Sequence, residues 1–212
     1  MHIGIITPAA VKSLNGNRAT ALRWAGFLHE LGHDVSIDVE WHGDNYDLMV
    51  ALHAWRSADS IAAFKQRYPD RPLVVAMTGT DLYGFINSHP EPTLASIEVA
   101  DRLVTLHHLA TRVLPESSHK KVRVIHQSAV PLTAVLSRPG RRSVRHFDIC
   151  VVGHLREEKD SLRAAYAVRD LPASSRIRVL QYGKAHNAEW ASYAKREMQI
   201  NPRYHWFGEV PH

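Results

Sequence analysis

Short β-branched runs alternate along this chain with longer stretches whose apolar positions recur every three or four residues. The first run is Ile3-Gly4-Ile5-Ile6-Thr7, and a helical pattern follows from about Arg18 to Leu31, with Ala21, Trp24, Ala25, Leu28 and Leu31 near one face. Asn17 stands where a cap would start this helix and Gly32 where a glycine would end it. Further strands are predicted at Val35–Val39, Leu48–Leu52, Leu73–Met77, Leu103–Leu106 and Val122–Ile125, with helices near Ser57–Tyr68 and Thr93–Ala100. Strand and helix alternating at this spacing mark βαβ units and a parallel sheet.

The pattern breaks at Arg138-Pro139-Gly140-Arg141-Arg142-Ser143-Val144-Arg145 and then restarts. A strand at Asp148–Gly153, a helix from about Ser161 to Asp170, a strand at Ile177–Gln181, a helix from about Ala188 to Met198 and a strand at Tyr204–Phe207 make half of a doubly wound unit. The expectation is an α/β chain of two Rossmann-like domains. Residues 1–137 form the first, 138–146 a linker, and 147–212 the opening part of a second that is incomplete in this chain. With half of that domain missing, little turnover is expected of the piece alone.

Composition narrows the class. With 212 residues, 45% of them hydrophobic, the chain can bury one substantial core and part of another, which excludes disorder. No apolar run approaches the roughly 20 residues of a membrane span, and the start is too short for a signal peptide, so a cytoplasmic protein without a membrane partner is expected. The single Cys150 excludes an intrachain disulfide and, in its apolar run, is expected to be a buried thiol. A net charge of +5 beside 15 histidines favours anionic partners such as phosphates. The linker arginines carry Pro and Gly among them and no aromatic residue, so they read as a solvated linker, and no nucleic-acid partner is expected.

In open α/β sheets ligands bind beyond the carboxyl ends of the strands, where helix N-termini turn free N–H groups outward. After the first strand that rule selects Gly16, Asn17, Arg18 and Thr20, where Gly16 permits close backbone approach and Arg18 supplies a forked cation. An anion site and an ordinary helix cap both fit this pattern. It next selects His53, Arg56 and Ser57, then Thr78, Thr80 and Asp81, and then His107-His108. Asp81 is placed either to orient or deprotonate a substrate hydroxyl or to cap the turn after Gly79. In the second domain Gly153, His154, Arg156 and Lys159 follow a strand and lead towards a helix that Asp160 is placed to cap. The two cations either neutralise the phosphates of a departing nucleoside diphosphate or pair with Glu157 and Glu158. Tyr182 and Gly183 close the next strand.

Several of these turns resemble a known family. Val152-Gly153-x-Leu155 followed by Lys159 is similar to the donor-phosphate motif of family-4 GT-B glycosyltransferases, with His154 where that family has arginine. Thr78-Gly79-Thr80-Asp81 resembles its histidine-glycine-threonine-aspartate turn, and Val124-Ile125-His126-Gln127-Ser128 its isoleucine-x-asparagine-glycine turn. These departures, with Gly16-Asn17-Arg18-x-Thr20 and Ala51-Leu52-His53-Ala54-x-Arg56-Ser57-Ala58, resemble the selenosugar synthases over nearly the whole chain. The resemblance implies transfer of an N-acetylhexosamine from its uridine-diphosphate donor, UDP-GlcNAc first among them, to selenophosphate.

On that reading Arg18, Arg56, Ser57, Thr78 and Thr80 hold the anionic acceptor with His53 as an orienting donor and Asp81 beside them. Gly16, Asn17, Thr20, Gln127, Ser128, Gly153, His154, Arg156, Lys159, Tyr182 and Gly183 serve the donor. Basic side chains and helix dipoles serve the diphosphate, so neither a metal nor a cofactor is expected. Threonine at position 78 cannot act as a base near neutral pH, which suits an acceptor already ionised. A family-4-like enzyme with a hydroxyl acceptor, and a non-catalytic nucleotide-binding or nucleic-acid-binding module, are the alternatives.

Overall fold

The computed structural model describes residues 1–13, 16–129 and 145–210. The chain divides into two compact units, Met1–Ala129 and Val130–His212. The proposed linker, apart from its last residues Arg145 and His146, lies outside the described residues.

The first unit holds β1 (His2–Ile6), α1 (Gly16–Glu30), β2 (Asp34–Asp38), β3 (Leu48–Leu52), α2 (Ala58–Arg67), β4 (Leu73–Ala76), a short α3 (Ile86–Ser88), α4 (Pro90–Val99), β5 (Arg102–Thr105) and β6 (Val122–Val124). The strands form one parallel sheet in the order β2-β1-β3-β4-β5-β6. A sheet buried on both faces needs apolar residues at every strand position, which is why Leu48-Met49-Val50-Ala51-Leu52 does not alternate. Met49 and Ala51 join one core with Ile61, Phe64 and Ile97 from α2 and α4, while Val50 and Leu52 join the other with Ala21 and Ala25 from α1. Helix α1 begins one residue before Asn17, which therefore sits inside the first turn instead of capping it. Gly32 does close it, at φ +81, and the N–H of His33 returns to the carbonyl of Leu28.

The second unit holds β7 (Phe147–Val152), α5 (Arg163–Ala167), β8 (Ile177–Tyr182), α6 (Ala188–Ile200) and β9 (Tyr204–Trp206), its strands parallel in the order β7-β8-β9. Leu155, Leu162, Val168, Val179, Ala194 and Tyr204 form its core. A buried polar stitch ties the helices together: Asn201 donates to the carbonyl of Ala165 (2.9 Å) and to Glu197 (2.8 Å), and Arg169 Nε donates to the same carboxylate at 3.0 Å. The Arg169 guanidinium is the largest influence on Glu197 and holds its carboxyl below the usual range.

Two expectations fail in this unit. Cys150 is exposed, because β7 is an edge strand and the described residues leave the face shared by Cys150 and Val152 uncovered. Asp160 does not cap a helix. It takes a left-handed conformation at φ 46 after the single turn Glu157–Lys159, pairs with the side chain of Arg163, and α5 starts three residues later and is shorter than the pattern implied. No helix among the described residues is long and apolar enough to cross a membrane.

Candidate functional site

The carboxyl ends of β3 and β4 build a polar cluster from the chain outward. At the end of β3, His53 donates its backbone N–H to the carbonyl of Ala76 at the end of β4 and then turns into the left-handed region, φ 79. A non-glycine residue is rare there, and the conformation costs about 1–2 kcal/mol unless neighbours enforce it. Asp81 does so. Its carboxylate accepts the N–H of Ala54 at 3.1 Å and that of Trp55 at 3.2 Å, the two peptides that the left-handed turn swings round. Ser96 of α4 fixes the same turn by donating to the carbonyl of Ala54 at 2.9 Å.

After β4, Thr78 and Asp81 bond reciprocally. The N–H of Thr78 donates to Asp81 Oδ2 at 2.9 Å, and the N–H of Asp81 to Thr78 Oγ1 at 3.3 Å. This is a capping-box pattern that opens a single π-type turn, Asp81–Phe85. Asp81 also accepts the Thr78 hydroxyl at 3.0 Å and lies 2.7 Å from His53 Nδ1, with the two side chains 0% and 3% exposed.

The Arg56 N–H faces the same imidazole nitrogen at 3.2 Å. The shorter contact decides the tautomer: a carboxylate only accepts, so Nδ1 carries the hydrogen. His53 Nε2 then meets Thr80 Oγ1 at 3.2 Å, and Thr80 Oγ1 lies 3.0 Å from Thr78 Oγ1. Burial alone would raise the pKa of Asp81, but the His53 imidazole and the N–H groups of Thr78 and Trp55 outweigh it and hold the carboxyl below its ordinary value.

Of the two roles the sequence leaves open for Asp81, this geometry supports the cap. Every acceptor direction is occupied, which leaves no lone pair for a substrate proton. Ser57 is likewise turned inward, 3% exposed, and donates to the carbonyl of Leu52 at 2.9 Å. Arg56 is exposed beside an aromatic cluster that sequence reasoning missed. Trp55 stacks on Phe85 at 4.0 Å and meets the tilted His89 ring at 4.4 Å, and the Arg56 guanidinium lies 5.5 Å from the Trp55 ring. The π-type turn brings Phe85 to Trp55, and nothing in the local pattern announces that turn.

Arg18 sits in the first turn of α1 and is 8% exposed. On the same helix Gly16 has open space around it, and Thr20 accepts a hydrogen bond of 3.1 Å from Gln127 beyond β6. Arg23, which the sequence reading passed over, holds the carbonyl of Ser128 at 2.6 Å. The segment after β6 thus lies along α1, with Gln127 at Thr20 and Ser128 at Arg23, while Gly16 and Asn17 stand in the helix's first turn.

In the second unit the turns after β7 and β8 run side by side. Gly153 N–H donates to the Tyr182 carbonyl at 2.8 Å, Leu155 N–H to that of Lys184 at 3.0 Å, and His186 N–H to that of Leu155 at 2.9 Å. His154 Nδ1 accepts the Lys184 N–H at 3.1 Å, which in the neutral ring leaves the hydrogen on Nε2. Ser161, 4% exposed and unflagged by sequence, receives the Arg156 N–H at 3.1 Å and so shapes the cationic loop. Arg156 is partly covered, with Nε 3.8 Å from Glu158, and Lys159 is exposed. Tyr182 stacks on Phe207 at 5.1 Å beside Gly183. Among the described residues no three His, Cys, Asp or Glu side chains converge to hold a metal ion.

No protein-family model matches the sequence, and no curated protein matches it. Among solved structures the chain is similar to a protein described as a UDP-N-acetylglucosamine 2-epimerase from Listeria monocytogenes, with a TM-score of 0.52 and 12% identity over 99% of this chain and 69% of that one. It is also similar to the apo form of the lipopolysaccharide outer core galactosyltransferase WaaB, with a TM-score of 0.56 and 13% identity over 99% of this chain and 68% of that one. Identities this low speak for architecture alone: two Rossmann-like parallel α/β units of the GT-B type.

Proposed function

We propose that the protein is a glycosyltransferase that moves an N-acetylhexosamine from a UDP-sugar, UDP-GlcNAc first among the candidates, to selenophosphate. The GT-B fold supports nucleotide-sugar chemistry only broadly, since the epimerase and the galactosyltransferase it resembles carry out different reactions. The observation that carries the reading is the state of His53. It is 2% exposed, with one ring nitrogen engaged by Asp81 and the other by Thr80, so the histidine at the end of β3 is not free to act as a base. A hydroxyl acceptor needs its proton removed as it attacks, whereas selenophosphate is already an anionic nucleophile and needs holding. The exposed Arg56 guanidinium and the Thr80 hydroxyl suit that task, while the Thr78 hydroxyl is committed to Asp81.

In this scheme the selenium lone pair forms a bond to the anomeric carbon as the bond from that carbon to the diphosphate oxygen breaks. The leaving UDP takes the electron pair, and Arg156 and Lys159 stabilise the charge that grows on it. Water then splits the P–Se bond, releasing inorganic phosphate and the selenosugar. The sequence resemblance supplies selenium, and the fold supplies the two units.

The test is to incubate the protein, in its longest native form, with a panel of UDP-sugars and either selenophosphate or simple alcohols, and to analyse products by mass spectrometry. A selenium-containing sugar is expected. Glycosylated alcohol without any selenium product would reject the acceptor, and an epimerised UDP-sugar without transfer would reject the reaction class.

A further inference from the structure

Four side chains at the ends of β3 and β4 form a closed ring of contacts. His53 Nδ1 meets Asp81 Oδ1 at 2.7 Å, Asp81 Oδ2 meets Thr78 Oγ1 at 3.0 Å, Thr78 Oγ1 meets Thr80 Oγ1 at 3.0 Å, and Thr80 Oγ1 meets His53 Nε2 at 3.2 Å. His53 and Asp81 are buried, while Thr78, Thr80 and the glycine between them reach the surface. A ligand at this edge therefore meets the ring at Thr78 or Thr80, and of the two Thr80 is the one in contact with the imidazole.

Hydrogens decide what Thr80 can offer. Each threonine hydroxyl supplies one, the carboxylate none, and the imidazole one when neutral and two when cationic. With His53 neutral, its Nδ1 hydrogen goes to Asp81, the Thr78 hydroxyl to Asp81, and the Thr80 hydroxyl to the buried Nε2, which has no other donor in the ring. Thr80 then shows a ligand only lone pairs. With His53 cationic, Nε2 donates to Thr80 and frees the Thr80 hydrogen, which can turn to Thr78 Oγ1 at 3.0 Å or to a bound anion. Charge acts in the same direction, since the buried pair carries the net charge of Asp81 when His53 is neutral and none when it is protonated. Among the described residues the Asp81 carboxylate lies against the imidazole at 2.7 Å. The Arg56 guanidinium lies 5.5 Å from the Trp55 ring and 5.8 Å from the Phe85 ring, both of which flank the imidazole, and is a cation that favours an anion without supplying a proton.

We propose that Thr80 is the residue that contacts the anionic acceptor, and that binding an anion there is coupled to uptake of one proton by His53, with Asp81 positioning the imidazole. This rests on the acceptor site of the proposed function and adds its contact atom and its proton linkage.

The test uses sulfate, a dianion throughout the neutral range, so that any proton taken up belongs to the protein. Sulfate is titrated calorimetrically into the 212-residue chain at about pH 8, and at pH values on either side, in buffers of different ionisation enthalpy. Uptake approaching one proton per bound sulfate is expected, with affinity falling as pH rises. Thr80→Val should weaken binding about tenfold or more, and Thr80→Ser should restore it. His53→Gln, whose amide donates without titrating, should bind with no proton uptake. No sulfate binding at tens of millimolar, binding without uptake by the native chain, or uptake that persists in His53→Gln overturns the proposal. None of these measurements involves sugar transfer, so a failed selenium assay and a failed proton count are separate results.

Discussion

A Cβ placed on Gly183 would lie 2.0 Å from the carbonyl oxygen of Gly153, so the turns that end β8 and β7 approach as closely as backbones allow. Gly183 also holds φ +144, where side chains are strained. Gly183→Ala should therefore destabilise the second unit by about 2–4 kcal/mol, while Gly153→Ala, with open space around it, should cost less. Denaturant unfolding followed through Trp190 and Trp206 checks this. Equal costs at the two glycines would show that the close approach is relieved by a small shift.

Asp81 stabilises the first unit through its charge. Its pKa in the fold lies below the unfolded value, so its contribution is complete above the unfolded pKa of about 4 and disappears as pH falls through the folded one. Asp81→Asn should cost about 2–4 kcal/mol at neutral pH, because it leaves peptide N–H groups and His53 short of an acceptor. The deficit relative to the native chain should shrink below about pH 4. Stability measured against pH in both proteins tests the sign, and a deficit that stays constant into acid would contradict it.

Arg56 and Arg18 should separate function from stability. Arg56 is exposed and its guanidinium lies beside the Trp55 and Phe85 rings, so Arg56→Ala should leave the melting temperature nearly unchanged and weaken the anionic acceptor by about 1.5–3 kcal/mol, mainly as a raised KM. Arg18 is buried, and Arg18→Ala should lower stability by about 1–3 kcal/mol. Thermal unfolding and acceptor kinetics on the same preparations distinguish them. The reverse pattern would move acceptor binding to α1.

On the donor side, Lys159→Ala and Arg156→Ala should each weaken UDP-sugar binding or turnover by about 1.5–3 kcal/mol. Glu158→Gln should change it by less than about 1 kcal/mol, because its contact with Arg156 is long and partly exposed. Titration with UDP reads the three variants side by side. Unchanged affinity in both cation variants would remove the loop from the donor site.

The elements were legible from local pattern because periodicity, glycine stops and uninterrupted apolar strands act over a few residues. Leu48–Leu52 and the Gly32 end of α1 needed nothing else. Placing polar groups at strand ends was equally legible, since the parallel sheet dictates which loops share an edge. What those groups do to one another was not. Whether Asp81 is a base or a cap depends on His53, 28 positions away, and Gln127 reaches Thr20 across 107. Cys150 reads as buried by its apolar neighbours, yet its exposure depends on which sheet face is covered. Burial and hydrogen-bond partnership are properties of pairs distant in sequence, and only tertiary packing decides which pairs meet.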